Sequence, residues 1–561
     1  MEPAYESSNY SAIVQGVRRD LSDTLIEIAE YSARGGFTLF LGEFFSTTIL
    51  AVASILIARL LGSENYGLYS LSLVVPSLFS SLISLGLDSA AVMLPSKYLA
   101  EGKRGHVVSF LKTSIVFRLA TGLTASLICF TASDFLATIL LNRPDLGFYV
   151  RVFSILILFQ TFFILVYSFF IGLGSARWAS IVKLLMAFFK TFFVTVLLFL
   201  GLGVFGALLG HTLGYVFSAL AGLTVLFLRY YRRLKNSPAD DDGEEVNPGS
   251  IGLLRLMLSY GFPLYLSSLL AILLGNYQTV LLAYYASNAE IGSFQAAVNL
   301  STMFTVLITP VTTMLFPVFT RLHSTEDRGE LESFLNLSVK YSSLILLPVS
   351  VLAVCVSRPL VTVVYGASYS LASGYLAAYS LMFLLVGFGY GILGSFFNGV
   401  GKTWLTFRID LVSLIVFTPL ALLLTSLHGV MGLIAALIAS RVSSTIYALI
   451  LARRRLSVKL NPPRIARIYI STLLSAVPTV LVAWFTGLPP LLSLLLDSAV
   501  YVLSYMSLTP LLRAVDENDV KNLERMFSGI GVLKPFVRLA SGYMRIVLHA
   551  SSSKRIAKKG E

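Results

Sequence analysis

The residues of this chain that could do chemistry are charges set inside long apolar runs. Arg118, Lys190 and Arg441 lie near the middle of three such runs, and Lys112 and Lys183 lie nearer one end of theirs. An ionisable group within hydrocarbon costs kilocalories, so it faces a cavity or a partner. Arg and Lys at that depth suit a phosphate or pyrophosphate leaving water, with Arg able to grip it bidentately. Lys183 and Lys190 are seven positions apart and share a helix face. Two other readings stand beside the cationic cavity. Lys112, Lys183 and Arg408 are close enough to an apolar run's end to snorkel; Arg118, Lys190 and Arg441 are deeper, where the alternative is a buried interhelical pair.

Glu43, Asp88, Asp410 and Asp497 are carboxylates in similar settings. Glu43, Asp88 and Asp410 are candidates for an ion-coupling site that takes up H+ or Na+, Glu43 foremost. A structural salt bridge is the other reading. His211 could relay protons or simply be a hydrogen-bonded helix histidine. Asn276, Gln278, Gln295 and Asn299 could bind sugar hydroxyls or hold helices together. Pro76, Pro263 and Pro310 mark expected bends.

A further stretch, "FFNGVGKTWL" (396–405), looks like the end of a phosphate-binding loop. That loop needs G-x-x-x-x-G-K-[ST] after a strand, and the first glycine position, 396, holds Phe. The stretch sits between two apolar runs, so Lys402 reads as a topology-setting lysine. The chain is expected to be no enzyme and to use no cofactor and no metal.

The elements that must position these residues are membrane helices. The chain has 561 residues, 56% hydrophobic and 13% charged, against about 25% charged in soluble domains. The net charge of +13 is spread over the ends of apolar runs rather than gathered in one patch, which argues against nucleic acid. Cys129 and Cys355 lie in apolar stretches and make no disulfide or metal pattern.

Apolar runs predict spans near 36–61, 68–95, 107–132, 150–173, 177–200 and 203–228. Six more follow near 257–285, 292–319, 336–357, 374–400, 403–426 and 429–452, then a pair near 467–487 and 490–513. The division is an N-terminal segment 1–34, a six-helix lobe 35–230, a linker 231–255, a second lobe 256–455, an extra pair 456–513 and a basic tail 514–561. Residues 12–33 carry helical apolar spacing, suited to a membrane surface or to packing on loops. No cleaved signal peptide is expected. Lys and Arg gather on one side of the spans, which places both termini in the cytoplasm. The closing "SSSKRIAKKGE" suits an anionic leaflet, although solvated basic tails are common.

The two six-span blocks repeat each other. "FFIGLGSARW" (169–178) matches "FFNGVGKTW" (396–404), "GVFG" (203–206) matches "GVMG" (429–432), "SDFLATILLN" (133–142) matches "SRPLVTVVYG" (357–366), and "NYGLY" (65–69) matches "EIGSF" (290–294). All four fall at offsets between 224 and 227. An even span number per block makes these parallel repeats, related by an axis along the membrane normal.

"ARLLGSENYGLYSL" (58–71) followed by "LPSKYLAEGKR" (94–104) resembles the start of polysaccharide-export flippases, the Wzx-like members of the MOP superfamily. That superfamily also holds lipid II flippases and MATE drug antiporters. The resemblance implies an all-α polytopic protein of about fourteen transmembrane helices: two lobes in a V shape plus a terminal pair. It implies alternating-access transfer of a polyprenyl-phosphate- or pyrophosphate-linked oligosaccharide across the cell membrane. The partners implied are that lipid-linked substrate and membrane lipids, in a chain expected to work as a monomer. Arg59 to Gly62 and Tyr66 to Tyr69 are signature positions, with a structural role expected. The competing reading is a cation-coupled drug or metabolite antiporter, in which carboxylates dominate the site.

Overall fold

The repeated turn shows how the chain builds its two halves. At 169–178 the helix Leu156–Gly172 (α4) ends and Ala176–Phe199 (α5) begins. Between them Gly174 adopts φ 69°, and the amides of Gly174 and Ser175 donate to the carbonyls of Ile171 and Phe170. At an offset of 227, Gly401 adopts φ 72°, and the amides of Gly401 and Lys402 donate to Asn398 and Phe397. Only glycine takes that left-handed conformation without a Cβ penalty, so the turn closes identically although Ser-Ala-Arg in one copy is Lys-Thr in the other. The GVGKT stretch is this interhelical turn. The other matched segments agree in the same way: Gly203 and Gly429 have φ 52° and 56°, and the helix-ending amides of Asn142 and Gly366 each donate to a threonine carbonyl four residues back at 3.0 Å.

The computed structural model describes residues 38–39, 41–236, 249–302, 304, 315, 319, 328–527 and 534–559. The N-terminal segment 1–34, residues 237–248 of the linker, Pro310 and half of the span expected at 292–319 lie outside them. The described chain is helical throughout, without strands. Among the described residues nine helices are long and apolar enough to cross a membrane, or ten if one bent pair counts as a span. Part of the difference from fourteen is continuity. Leu41–Leu82 (α1) takes up the first expected span and much of the second, and Thr403–Leu456 takes up the eleventh and twelfth. Each runs through a glycine with positive φ, Gly62 at 74° and Gly429 at 56°. The second expected span also breaks at Leu85 and Gly86 before Leu87–Ala100 (α2). Pro76 sits in the first turn of the 74–82 helical segment, where a missing N–H costs nothing.

Two compact units form. The first takes residues up to Leu60 and Leu71–Tyr277; the second takes Leu61–Ser70 and everything from Gln278. Most of Gly249–Tyr285 (α7) belongs to the first unit, with the Tyr265 hydroxyl donating to the Leu82 carbonyl at 2.9 Å and Gly261 packed on the Gly86 backbone. Conversely, the signature tyrosines pack in the second unit: Tyr66 stacks on Tyr69, meets Tyr369 edge-on and bonds Asn299.

In the first unit Arg104–Thr131 (α3), α4, α5 and Gly203–Val225 (α6) bury Phe110, Phe162, Phe163, Phe169 and Phe170. Gly206, Gly210, Gly214, Ser218 and Gly222 recur every fourth residue on α6. Small residues at that spacing let helix backbones approach closely; a Cβ at Gly210 or Gly214 would collide with the α5 backbone at Val194 or Lys190.

In the second unit Arg328–Cys355 (α8) supplies the central helix. The span expected at 374–400 is broken: Ser370–Ser380 (α9), a 3-10 stretch 381–388, left-handed Gly389 and Gly391, then Leu393–Gly399 (α10). Thr403–Leu456 (α11), Pro462–Thr486 (α12) and Pro490–Leu511 (α13) follow. The α12 residue Tyr469 braces the break, its hydroxyl donating to the Leu384 carbonyl and its ring lying where a Cβ on Gly387 would be.

Beyond α13, Glu517–Phe527 (α14) is locked to α8 by a buried ion pair, Lys340 Nζ to Asp519 Oδ2 at 2.5 Å. Burial alone would raise the Asp519 carboxyl. Hydrogen bonds from Lys340, the Asp516 amide and Tyr341 outweigh it and hold the group below its usual range.

Candidate functional site

The candidate cations divide by partner. Arg118, on α3, is 1% exposed. Its Nη2 meets Asp88 Oδ1 at 2.5 Å and its Nη1 donates to the Ile83 carbonyl at 3.3 Å. Asp88 lies in the first turn of α2, and Ser84 Oγ donates to its other oxygen at 2.5 Å. The two residues read separately as an anion ligand and an ion-coupling carboxylate are therefore each other's partners. Of the two readings open for Arg118, the geometry favours the buried interhelical pair: inside a helical bundle, the nearest opposite charge meets it.

Lys183 likewise pairs with Glu43, and its ammonium lies 5.5 Å from the Tyr167 ring centroid. The pair joins a lysine and a carboxylate whose sequence readings were separate, and it is partly exposed. Lys112 is exposed, with its ammonium 5.9 Å from the Tyr231 ring centroid. Arg408 lies over exposed Trp404 at 5.8 Å.

Lys190 is different. It is half-buried on α5, and no described residue forms an ion pair or hydrogen bond with its ammonium. Its electrostatic neighbour is buried His211 on α6. One turn on, the Tyr215 ring lies 5.5 Å from that of His211 and near Gln160 of α4, whose Oε1 accepts from Ser80 Oγ at 3.1 Å. The first unit thus holds Ser80, Gln160 and Tyr215 as polar groups, and on α5 a lysine without an acidic partner among the described residues. Gln160 carries no spacing signal in the sequence, one amide in an apolar run, and Tyr215 is marked there only as the repeat counterpart of Arg441.

Arg441 lies in a cavity of about 330 Å³ inside the second unit. Its guanidinium faces Tyr390 at 5.8 Å from the ring centroid, and Asp410 lines the same cavity within electrostatic reach. Thr406, Ser444 and Thr445 add hydroxyls, and Gly389, Gly391 and Gly394 form the opposite wall. Broken helix at membrane depth persists where it lines a cavity, because bare peptide groups in hydrocarbon cost several kilocalories each. The signal for this wall was present in "GFGYGILG" (387–394), four glycines around one tyrosine.

The expected sugar contacts are not gathered with these charges. Asn299 donates to the Tyr66 hydroxyl at 2.9 Å and accepts from Gln295. Asn276 and Gln278 are half-buried and two positions apart on α7, a spacing that does not share a helix face. Asp497, on α13, is 1% exposed, with one oxygen bonded to Ser493 and the other without a partner. No group of three or more His, Cys, Asp or Glu suited to a metal occurs among the described residues.

Repeated helical bundles, a broken span and charges at membrane depth define a multi-pass transporter fold of the MOP type. The solved structures agree. Lipid II flippase MurJ in an inward closed conformation is similar with a TM-score of 0.68 at 16% identity, covering 84% of this chain and 97% of that one. An inward-facing multidrug resistance MATE family transporter gives 0.60 at 18%, covering 73% and 94%. A MOP superfamily transporter from Pyrococcus furiosus gives 0.50 at 18%, covering 76% and 95%. No curated protein matches the chain. The polysaccharide biosynthesis protein family matches residues 32–323, more than half of the length, and the chain belongs to that family. The lipid II flippase MurJ family model matches residues 260–497.

Proposed function

We propose that this protein is a flippase that moves a polyprenyl-phosphate- or pyrophosphate-linked oligosaccharide from the cytoplasmic to the outer leaflet by alternating access. The observation that carries the reading is the family assignment: polysaccharide biosynthesis over residues 32–323, overlapping a lipid II flippase match over 260–497. The site supports it in a specific way. Once Arg118 and Lys183 are neutralised by Asp88 and Glu43, Lys190 and Arg441 remain to meet an anionic headgroup. Arg441 lies beside the hydroxyls of Thr406, Ser444 and Thr445, suited to phosphate oxygens or sugar. The plasma membrane is the compartment, with both termini cytoplasmic and the monomer as the working unit. An inside-negative potential then favours outward movement of negative charge, by about 2.3 kcal/mol per charge per 100 mV.

The test is flipping of the native lipid-linked sugar in proteoliposomes, compared for the parent, Lys190→Ala and Arg441→Ala. Loss of transport in folded variants supports the assignment. Unchanged transport in both ends the claim that these cations hold the headgroup. The antiporter reading draws support from the MATE fold likeness and from Asp410 in the cavity. It predicts drug-induced proton or sodium efflux that Asp410→Asn abolishes, with lipid flipping unaffected.

A further inference from the structure

The last helix, Lys534–Lys559 (α15), has two faces with different fates. One is anchored. Ser541 Oγ and Arg545 Nη2 both reach Glu524 of α14 at 2.5 Å, and Met544 and Leu548 pack on the core of the second unit. The other presents Leu539 and Ile546, 78% and 68% exposed. Seven residues apart, they share one stripe.

Two observations say what covers that stripe. The first is position. Tyr543, between the two, bonds the Ser507 hydroxyl of α13 at 2.8 Å. Ser507 lies four residues inside the Leu511 end of a membrane-crossing helix, or about 6 Å at 1.5 Å per residue. The helix is therefore tethered at the depth where acyl chains meet headgroups, and the exposed Leu503 and Leu511 of α13 bring the lipid-facing surface up to it. The second is charge. From Lys534 to Lys559 the sequence holds seven Lys or Arg and no Asp or Glu, against the single carboxylate Glu524 that faces Arg545 and Arg538. An apolar stripe flanked by cations, tied to the end of a span, fits an anionic bilayer surface.

We propose that α15 is an interfacial helix that inserts Leu539 and Ile546 into an anionic leaflet, toward which the basic sequence of its last turns is drawn. The helix thereby fixes the connected α14, and through Asp519–Lys340 the middle of α8, against the membrane. This is independent of what the transporter carries.

The test uses the full chain with Cys129 and Cys355 replaced by Ala and a nitroxide on Ile546→Cys. It is reconstituted in phosphatidylcholine alone or with one third phosphatidylglycerol. In the anionic vesicles the label should be accessible to oxygen and shielded from a water-soluble nickel chelate. Replacing Lys554, Arg555, Lys558 and Lys559 with Gln should raise nickel accessibility about tenfold. Equal nickel access in both vesicles overturns the proposal. So does shielding that survives the four Gln substitutions, or shielding that vanishes on dilution to one chain per vesicle, which would assign the stripe to a second copy. A label at Leu539→Cys must follow the one at 546; water exposure there alone also overturns a common inserted face.

Discussion

The two halves of this molecule share a turn hydrogen bond for hydrogen bond and differ where the turn's helices meet the middle of the membrane. In the first, α4 is continuous and carries Phe162, Phe163, Ile164 and Tyr167. At the repeat offset of 227 the second has Gly389, Tyr390, Gly391 and Gly394, and the helix breaks. Opposite them, Tyr215 meets Phe163 edge-on at 5.5 Å, while its counterpart Arg441 meets Tyr390 at 5.8 Å. The contact is inherited and its chemistry is replaced. Lys183 and Asp410 are likewise counterparts of opposite charge. Duplication supplied the scaffold, and substitution of bulky residues by glycine opened a polar cavity in one copy.

Breaking the Arg118–Asp88 pair should give the largest effect on folding. Arg118→Ala leaves the half-buried Asp88 carboxylate with Ser84 as its described partner and should destabilise the first unit by about 1–3 kcal/mol, read as lost thermal stability in detergent. Arg118→Leu with Asp88→Leu should recover most of it. Recovery of stability without recovery of transport would show that the pair also serves the substrate.

The comparison of the centres is sharpened by Arg441→Tyr, which gives the second copy the first copy's residue. Loss of one charge-assisted contact of about 1.5–3 kcal/mol corresponds to a roughly 10- to 100-fold fall in flipping, with fold retained. Gly391→Phe would refill the cavity wall and should match it.

Smaller and equal effects are expected in the shared turns. Gly174→Ala and Gly401→Ala each force a left-handed residue costing about 1–2 kcal/mol, measured as a drop in melting temperature of similar size. Markedly unequal drops would deny that the two turns are equivalent.

The smallest effect is conditional on pH. The lowered carboxyl of Asp519 contributes stability that is whole above its unfolded value, about 3.9, and is lost as pH falls through the folded one. Hydrogen exchange in α14 should therefore be slow at neutral pH and rise only under strong acid, whereas Asp519→Asn should raise it at neutral pH.

Much of this was legible in the chain. Apolar runs long enough to span and glycines at matched offsets exposed the membrane class and the duplication, because both depend on local hydropathy and backbone freedom. The deep charges were legible as residues but not as partners. Whether Arg118 meets a phosphate or Asp88 is decided by an α2–α3 crossing thirty residues apart in sequence, and Glu43 and Lys183 are 140 apart. The boundaries of the units were also hidden, since Leu61–Ser70 and the larger part of α7 each join the unit opposite to their sequence block. The sequence by itself determined the helices, their repeat and the residues able to carry charge, since these follow from covalent chemistry and short-range geometry. Only the tertiary structure decided which charges cancel, where the broken helix opens a cavity and which face of α15 is left for lipid, because those outcomes depend on distances that packing alone creates.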